Sequence, residues 1–154
     1  KQDSIKDFCK KIELIKKTRN SKDFLIGARI ESFILGKGLN DALKRAQAYS
    51  AAGADIILIH SKEKTSKEIF SFSNIFRKTK YYKPLVAVPS TYSKTTEAML
   101  IKNGFKIVIY ANQMLRSTYP AMQNVARTIL KNERSFELEN KISSVNELIN
   151  LIKS

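Results

Sequence analysis

Residues 38–62, GLNDALKRAQAYSAAGADIILIHSK, contain the signals for a helix, its end and a strand in immediate succession. Asn40 can accept the first free amide groups of a helix over residues 41–51, and Gly53 can adopt the left-handed conformation that ends it. The following run, residues 56–59, is short, apolar and rich in isoleucine, which is typical of a strand buried in a parallel sheet. This stretch therefore predicts a helix followed by a strand, with polar residues directly after the strand.

The same alternation extends in both directions from this stretch. Strands are predicted over residues 24–30, 85–88 and 105–110. Helices are predicted over residues 3–18 with Asp3 or Ser4 as the cap, 66–78, from a cap at Thr95 or Thr96 to 101, 115–131, and onward from a cap at Ser144. Pro120 is tolerated if it lies in the first turn of its helix, and residues 132–140 are predicted to be a connection. Strands that alternate with helices at a spacing of roughly 30 residues predict parallel crossovers, so the fold class is α/β, with four units that form a small open sheet or half of an eight-stranded barrel.

The composition excludes several classes of protein. With 154 residues and 43% apolar content, the chain is long and apolar enough to form a domain with a core. No apolar run approaches the roughly 18 to 20 residues that cross a bilayer, which predicts no membrane partner and a cytoplasmic location. The single Cys9 can form neither an intramolecular disulfide nor a cysteine-based zinc site. The nucleotide and zinc motifs GxGxxG, GxxxxGKS/T, CxxC and HExxH do not occur.

The charge of the chain raises the question of a polyanionic partner. A net charge of +14, from 28 Lys plus Arg against 14 Asp plus Glu, favours contact with polyanions. The lysines, however, are spread along the whole chain, which is typical of a solvated surface. We therefore expect no nucleic-acid partner, and a non-catalytic basic binding module stays as the alternative of a different class, with binding that weakens steeply as salt is added.

Polar side chains follow each predicted strand. Arg29 and Glu31 lie on one side of the first strand because side chains alternate, and His60, the only histidine, directly follows the second strand. Ligands of parallel α/β proteins bind at the carboxyl ends of the strands, so Arg29 and His60 are predicted to bind a small anionic substrate. The alternative is that Arg29 pairs with Glu31 for stability alone. The residues expected to support the same end of the sheet are Glu31, Ser61, Ser90 and Asn112.

These strand ends do not form a complete catalytic centre. Glu31 is the only carboxylate among them, and one carboxylate is too few for a Mg²⁺ site. No serine or cysteine is accompanied by the partners of a catalytic triad. We therefore predict neither a metal site nor a catalytic nucleophile in this chain.

Several blocks, taken together and in order, resemble the phosphoenolpyruvate mutase family of the isocitrate lyase superfamily. The blocks are ARIESFI at 28–34, the stretch at 38–62, VPSTY at 88–92, YANQMLRS at 110–117 and NKISSVNEL at 140–148. The resemblance implies a (βα)8 TIM-type barrel, of which this chain supplies strands five to eight and a C-terminal helix. Residues 1–154 are thus expected to be the C-terminal half of a longer chain, which also agrees with a start at Lys1 instead of methionine.

The resemblance also implies an enzyme activity. The expected reaction interconverts phosphoenolpyruvate and phosphonopyruvate, the isomerase step that forms a carbon–phosphorus bond in phosphonate biosynthesis. The family residues that match Arg29 and His60 contact phosphoryl or carboxylate oxygens of the substrate. Mg²⁺ is implied as the cofactor, with its ligands, the nucleophilic aspartate and the gating loop all upstream of this chain. The alternatives are phosphonopyruvate hydrolase and a carbon–carbon lyase that acts on 2-methylisocitrate or an oxaloacetate-like acid.

Some positions depart from the family pattern. Lys37 replaces the tryptophan of a Gly-Trp-Gly segment, Ser90 replaces a threonine but keeps a hydroxyl, and Gln113 replaces a histidine, which leaves any role of that position open. Four strands alone would also leave two open edges and an uncovered face. We therefore expect the chain to pair with its N-terminal half or to form homo-oligomers, and to be inactive alone.

Overall fold

The computed structural model describes residues 2–152, and the chain divides into two compact units, Lys1–Ala111 and Asn112–Ser154. The first unit contains, in chain order, α1 (Ile5–Thr18), β1 (Gly27–Ile30), α2 (Gly38–Ala52), β2 (Ile56–Ile59), α3 (Lys67–Phe76), β3 (Leu85–Ala87), α4 (Glu97–Lys102) and β4 (Phe105–Val108). The second unit contains α5 (Gln113–Asn132), a 3₁₀ helix (Phe136–Leu138) and α6 (Val145–Ile152).

The strands form one parallel sheet in the order β1-β2-β3-β4, which confirms the predicted α/β fold. In register, Arg29 of β1 lies beside Leu58 of β2, Leu58 lies beside Val86 of β3, and Val86 lies beside Ile107 of β4. Because all four strands run in the same direction, their carboxyl ends meet at one edge of the sheet, called here the carboxyl edge. This is the edge at which parallel α/β proteins bind their ligands.

The core lies between one face of the sheet and helices α1 to α4. Ala28, Ile30, Ile57, Ile59, Leu85, Ala87 and Phe105 are buried on this side, and the largest partners that cover them are Tyr49, Ile69, Phe72, Phe76 and Leu100. Burying each such side chain stabilises the fold by about 1.5 to 3 kcal/mol. The opposite side, called here the open face, holds the row that begins with the exposed Arg29 and ends with Ile107, which is 37% exposed. Most of the apolar core therefore lies on one face of the sheet, while the row on the open face runs from the charged Arg29 through Leu58 and the buried Val86 to Ile107.

Several helix boundaries follow the predicted caps. The Ser4 hydroxyl accepts from the backbone N–H of Asp7 at the start of α1, and the Thr96 hydroxyl accepts from that of Met99 at the start of α4. Gly53 ends α2 with a φ of 116°, in the left-handed region where glycine is favoured. Before α6, Ser144 and Glu147 exchange hydrogen bonds between side chain and backbone N–H, which is a capping box.

Other predicted boundaries are wrong. The first strand begins at Gly27 and not at residue 24, since Phe24 and Leu25 are 61% and 55% exposed ahead of the sheet. Helix α2 begins at Gly38, and Lys37, in place of Asn40, occupies the cap position without a side-chain hydrogen bond. The apolar content of residues 24–30 and the capping chemistry of Asn40 each suggested a plausible boundary that the packing did not adopt.

The second unit is dominated by the long helix α5. Pro120 lies inside this helix and not in its first turn, so the condition under which it would be tolerated is not met, and the helix lacks one internal N–H donor there. No residue of α5, all of which the structure describes, is buried. The apolar side chains of α5 are exposed, with Leu115 at 70% and Leu130 at 80%. Within residues 2–152, no helix combines the length and the apolar character needed to cross a membrane.

Candidate functional site

Arg29, Glu31 and His60 come together at the carboxyl edge, on the open face of the sheet. Arg29 and Leu58 are register partners, and His60 lies two residues beyond Leu58, so Arg29 and His60 share one face of neighbouring strands. Glu31 lies two residues beyond Arg29 and shares that face as well. The side chains between them along each strand, such as Ile30 and Ile59, are buried under the helices. The alternation of the two strands thus presents a guanidinium, a carboxylate and an imidazole on the same surface.

Arg29 forms an ion pair with Glu31, in which its Nε donates to Oε1 of the carboxylate. The Arg29 side chain is still 57% exposed and that of Glu31 is 30% exposed. The remaining N–H groups of the guanidinium therefore stay accessible to an anion, while Glu31 limits the directions in which the guanidinium can point. The predicted pairing for stability and the predicted anion contact are compatible with each other in this geometry.

The imidazole of His60 is half-buried, and its Nδ1 is buried with no hydrogen-bond partner among the described residues. Burial, which is the largest influence, and the positive charge of Arg29 lower the pKa of His60 below its usual 6.5, while the charge of Glu31 opposes this shift. The three side chains are therefore close enough to act on one another electrostatically. At neutral pH, His60 is expected to be a neutral group that can donate one N–H to a ligand oxygen.

A shallow depression of about 260 Å³ borders the Arg29–Glu31 pair. Its lining comes from the start of the chain and from α1 and α2, with Gln2, Asp3, Phe8 and Tyr49 joining the ion pair. A larger depression of about 450 Å³ lies at the other end of α1, around Arg19. There the guanidinium is already paired with Asp55, at 2.6 Å. Convergent polar groups therefore favour the smaller depression as part of a binding site.

Ser61 and Ser90, the two serines predicted to support the site, differ in their hydrogen bonding. Ser61 is fully buried and donates its hydroxyl to Glu68, so that hydroxyl is bonded within the chain. Ser90 is half-buried in the turn after β3, and among residues 2–152 its hydroxyl has no hydrogen-bond partner. The Ser90 hydroxyl can therefore form a hydrogen bond with a ligand, whereas the Ser61 hydroxyl bonds to residues of its own loop and the helix that follows.

Asn112 lies in the second unit, directly before α5. Its side chain makes no capping hydrogen bond. Its backbone N–H donates to Oε1 of the Gln113 side chain. Its exposed amide is available for other contacts. The role predicted for Asn112 stays a prediction.

No group of three His, Cys, Asp or Glu side chains within residues 2–152 is arranged to hold a metal ion. Two carboxylates near the carboxyl edge are already engaged, Glu31 by Arg29 and Glu68 by Ser61. The described residues therefore provide an anion-binding surface with one half-buried imidazole, and their chemistry is that of binding and orienting oxygens.

Sequence reasoning missed a set of buried polar residues just behind this surface. Ser32 is fully buried and donates to Asp41, which also accepts from the buried Arg45. Burial alone would raise the pKa of Asp41, but the hydrogen bonds from Ser32 and Arg45 and the nearby positive charges lower it overall. The signal that could have revealed these residues is a serine at the same distance after two successive strands, each followed by an acidic residue early in the next helix.

Comparison with known proteins relates this geometry to a family. The family model of phosphoenolpyruvate phosphomutase matches residues 1–130. A phosphoenolpyruvate phosphomutase from Tetrahymena pyriformis is 40% identical over 147 residues, which are 96% of this chain and 48% of that protein. The crystal structure of a phosphoenolpyruvate phosphomutase from Streptomyces platensis subsp. rosaceus matches with a TM-score of 0.92 and 36% identity, over 99% of this chain and 52% of that one. A crystal structure of phosphonopyruvate hydrolase, in complex with oxalate and Mg²⁺, matches with a TM-score of 0.89 and 37% identity, over 98% and 53%.

The chain thus spans about half the length of the relatives that it matches. The match includes the four parallel strands and the strand ends that hold Arg29 and His60. The family model matches residues 1–130, and a curated relative is 40% identical over 147 residues. This chain therefore belongs to the phosphoenolpyruvate phosphomutase family.

Proposed function

We propose that the complete polypeptide containing this sequence interconverts phosphoenolpyruvate and phosphonopyruvate, and that Arg29 and His60 bind the anionic oxygens of the substrate. The observation that carries the proposal is the placement of both side chains on one face of neighbouring parallel strands, at the carboxyl edge. A guanidinium cannot lose its charge near neutral pH and presents several N–H donors in a plane, which suits a phosphoryl group or a carboxylate.

The reaction moves a phosphoryl group between a carbon and an oxygen, so the protein has to position the group and stabilise its charge. Arg29 would supply a fixed positive charge, oriented by Glu31. His60 would supply a neutral N–H donor, because burial and Arg29 hold its pKa low. Ser90, whose hydroxyl is without a partner in the part of the chain that the structure describes, would supply a further hydrogen bond at the same edge.

We further propose that the four strands are strands five to eight of an eight-stranded barrel, and that the rest of the polypeptide supplies the other half. Two observations support this: the chain spans about half of its relatives, and Arg29 and Ile107 on the open face of its sheet are exposed. Residues 2–152 do not fit a Mg²⁺ site, since their carboxylates do not cluster. If Mg²⁺ is required, as the complex of the related hydrolase suggests, its ligands would therefore come from the other half.

Phosphonopyruvate hydrolase is the second candidate function. The hydrolase structure is 37% identical to this chain and the mutase structure is 36% identical, so overall similarity does not separate the two reactions. Both reactions break the same carbon–phosphorus bond and need the same anion contacts. They differ in the acceptor of the phosphoryl group, which is the enolate oxygen in the mutase and water in the hydrolase.

The test is product analysis with the complete polypeptide. Phosphonopyruvate is added with Mg²⁺, phosphorus NMR follows the phosphorus-containing products and proton NMR follows pyruvate, with a chelator as the control for metal dependence. Formation of phosphoenolpyruvate supports the mutase proposal, whereas inorganic phosphate together with pyruvate supports the hydrolase. Turnover of 2-methylisocitrate with no reaction of phosphonopyruvate would overturn both and indicate a carbon–carbon lyase.

A further inference from the structure

Two serines occupy equivalent places behind the candidate site. Ser32 lies two residues beyond the end of β1 and Ser61 two residues beyond the end of β2, and both are fully buried. Each donates its hydroxyl to a carboxylate in the first turn of the next helix, Ser32 to Asp41 of α2 and Ser61 to Glu68 of α3. The same contact is therefore made twice, once after β1, which contains Arg29, and once after β2, which His60 directly follows.

The first contact is part of a larger buried network. Asp41 Oδ2 accepts from Ser32 at 2.6 Å and from Nε of Arg45 at 2.9 Å. Arg45 is only 4% exposed, and its Nη1 also donates to the Tyr49 hydroxyl at 2.8 Å and to the carbonyl of Asp3 at 3.0 Å. Because every part of this network is held by a neighbour, Ser32 and the residue before it have little freedom to move.

The second contact connects two loops of the carboxyl edge. Ser61 accepts from the backbone N–H of Glu63 at 3.1 Å while it donates to Glu68. The carbonyl of Ser61 accepts from the Thr91 hydroxyl at 2.8 Å, which joins the loop after β2 to the turn after β3. The backbone that holds His60 is therefore fixed from two sides.

We propose that Ser32–Asp41 and Ser61–Glu68 are positioning pairs that hold Glu31 with Arg29, and His60, in the arrangement that binds the anion. This inference rests on the proposed function of the site. The serines do not touch the substrate: Ser32 directly follows Glu31, and Ser61 directly follows His60, so each acts through its neighbour in the chain. A site that binds a small anion through two side chains depends on their separation, and a displacement of about 1 Å is enough to cost a large factor in rate.

The experiment compares Ser32→Ala and Ser61→Ala with Ser73→Ala in the complete polypeptide. Ser73 is a matched control because it is also fully buried and donates to a backbone carbonyl, that of Asn103, at the amino end of the sheet. We expect kcat/KM for phosphonopyruvate to fall about tenfold in the first two variants and to stay within about twofold in the control. Glu68→Gln keeps an acceptor oxygen and should retain most of the activity that Glu68→Ala loses.

The imidazole of His60 supplies a readout that does not depend on turnover. Its NMR resonance, assigned by its disappearance in His60→Asn, should shift in Ser32→Ala and Ser61→Ala but not in Ser73→Ala. If the unsubstituted protein turns over no phosphonopyruvate, the proposed function fails, while the shift of the resonance still decides whether the pairs position His60. An unshifted resonance in both variants, or losses of activity no larger than in Ser73→Ala, would overturn the inference.

Discussion

The pKa of His60 depends on three influences: burial, the charge of Arg29 and the charge of Glu31. Burial and the charge of Arg29 favour its neutral form, and the charge of Glu31 favours its protonated form. Arg29 and Glu31 form an ion pair with each other, so each also moderates the effect of its partner on His60. Electrostatic coupling among the three groups is therefore a property that single substitutions can measure.

Arg29→Ala should raise the pKa of His60, because it removes a positive charge that disfavours the imidazolium. Glu31→Gln should lower the same pKa, because it removes a negative charge that favours the imidazolium. Titration of the His60 resonance by NMR measures both shifts. Arg77→Ala is the control, since Arg77 is exposed at the end of α3, away from the carboxyl edge, and should leave the pKa unchanged. Shifts of the same sign in Arg29→Ala and Glu31→Gln would contradict this description of the site.

At the scale of single elements, the short helix α4 shows how a local signal fixes a boundary. It contains only the residues Glu97–Lys102 and contributes one fully buried side chain, Leu100, to the core. Its first turn is held by the Thr96 hydroxyl, which accepts from the backbone N–H of Met99 at 3.3 Å. Since a helix this short has little packing of its own, its cap should matter for its stability.

Thr96→Ala should lower the free energy of unfolding by about 1 kcal/mol through loss of this cap. Thr95→Ala is a matched control, because Thr95 directly precedes Thr96. The Thr95 hydroxyl makes no hydrogen bond within the part of the chain that the structure describes. Urea denaturation of the two variants checks the difference. Equal destabilisation by both substitutions would mean that the hydroxyl of Thr96 does not cap α4.

The elements themselves were largely predictable from local sequence. The strand over Ile56–Ile59 and the caps at Thr96 and Ser144 were confirmed because apolar runs and hydroxyl caps act within a few residues. The start of α2 and the place of Pro120 within α5 were not, because tertiary packing selects among several helix boundaries that the local sequence permits. Local sequence signals therefore predict the presence of a helix or strand more reliably than they predict the residue at which it begins.

At the scale of the whole molecule, each unit leaves apolar side chains uncovered. In the first unit, Ile107 of β4 and Ile109 just beyond it are 37% and 41% exposed. In the second unit, α5 exposes Met114, Leu115, Met122 and Leu130. Many large apolar side chains exposed on one element are typical of surfaces that another polypeptide covers.

The 154-residue chain alone should therefore associate in solution, with an average mass that rises with concentration in sedimentation velocity. Ile107→Lys should weaken this association, because it places a charge on the open face of the sheet. Ile101→Lys is the control, since Ile101 lies on α4, among the helices that cover the other face of the sheet. A stable monomer of the unsubstituted chain at high concentration would refute the prediction.

The candidate site could be predicted only in part. The alternation of side chains along β1 and β2 was enough to place Arg29 and His60 on one side, because both residues lie within or beside regular strands. The buried partners of Ser32 and Ser61 could not be predicted, since Asp41 and Glu68 approach them only after the next helix has packed on the sheet. The side chains proposed to bind the substrate can therefore be predicted from the sequence pattern. The residues that hold them in place can be identified only from the tertiary structure.

The central claim, that Arg29 binds the substrate anion, is tested most directly by the rate at which Arg29→Ala turns over phosphonopyruvate in the complete polypeptide. Removing a single charged donor should reduce kcat/KM by about 100-fold or more. Arg77→Ala, which removes the same charge from an exposed position elsewhere on the first unit, should leave the rate close to that of the unsubstituted protein. A rate for Arg29→Ala within about tenfold of the unsubstituted protein would contradict the account, because the loss would then be too small for a residue that neutralises the substrate.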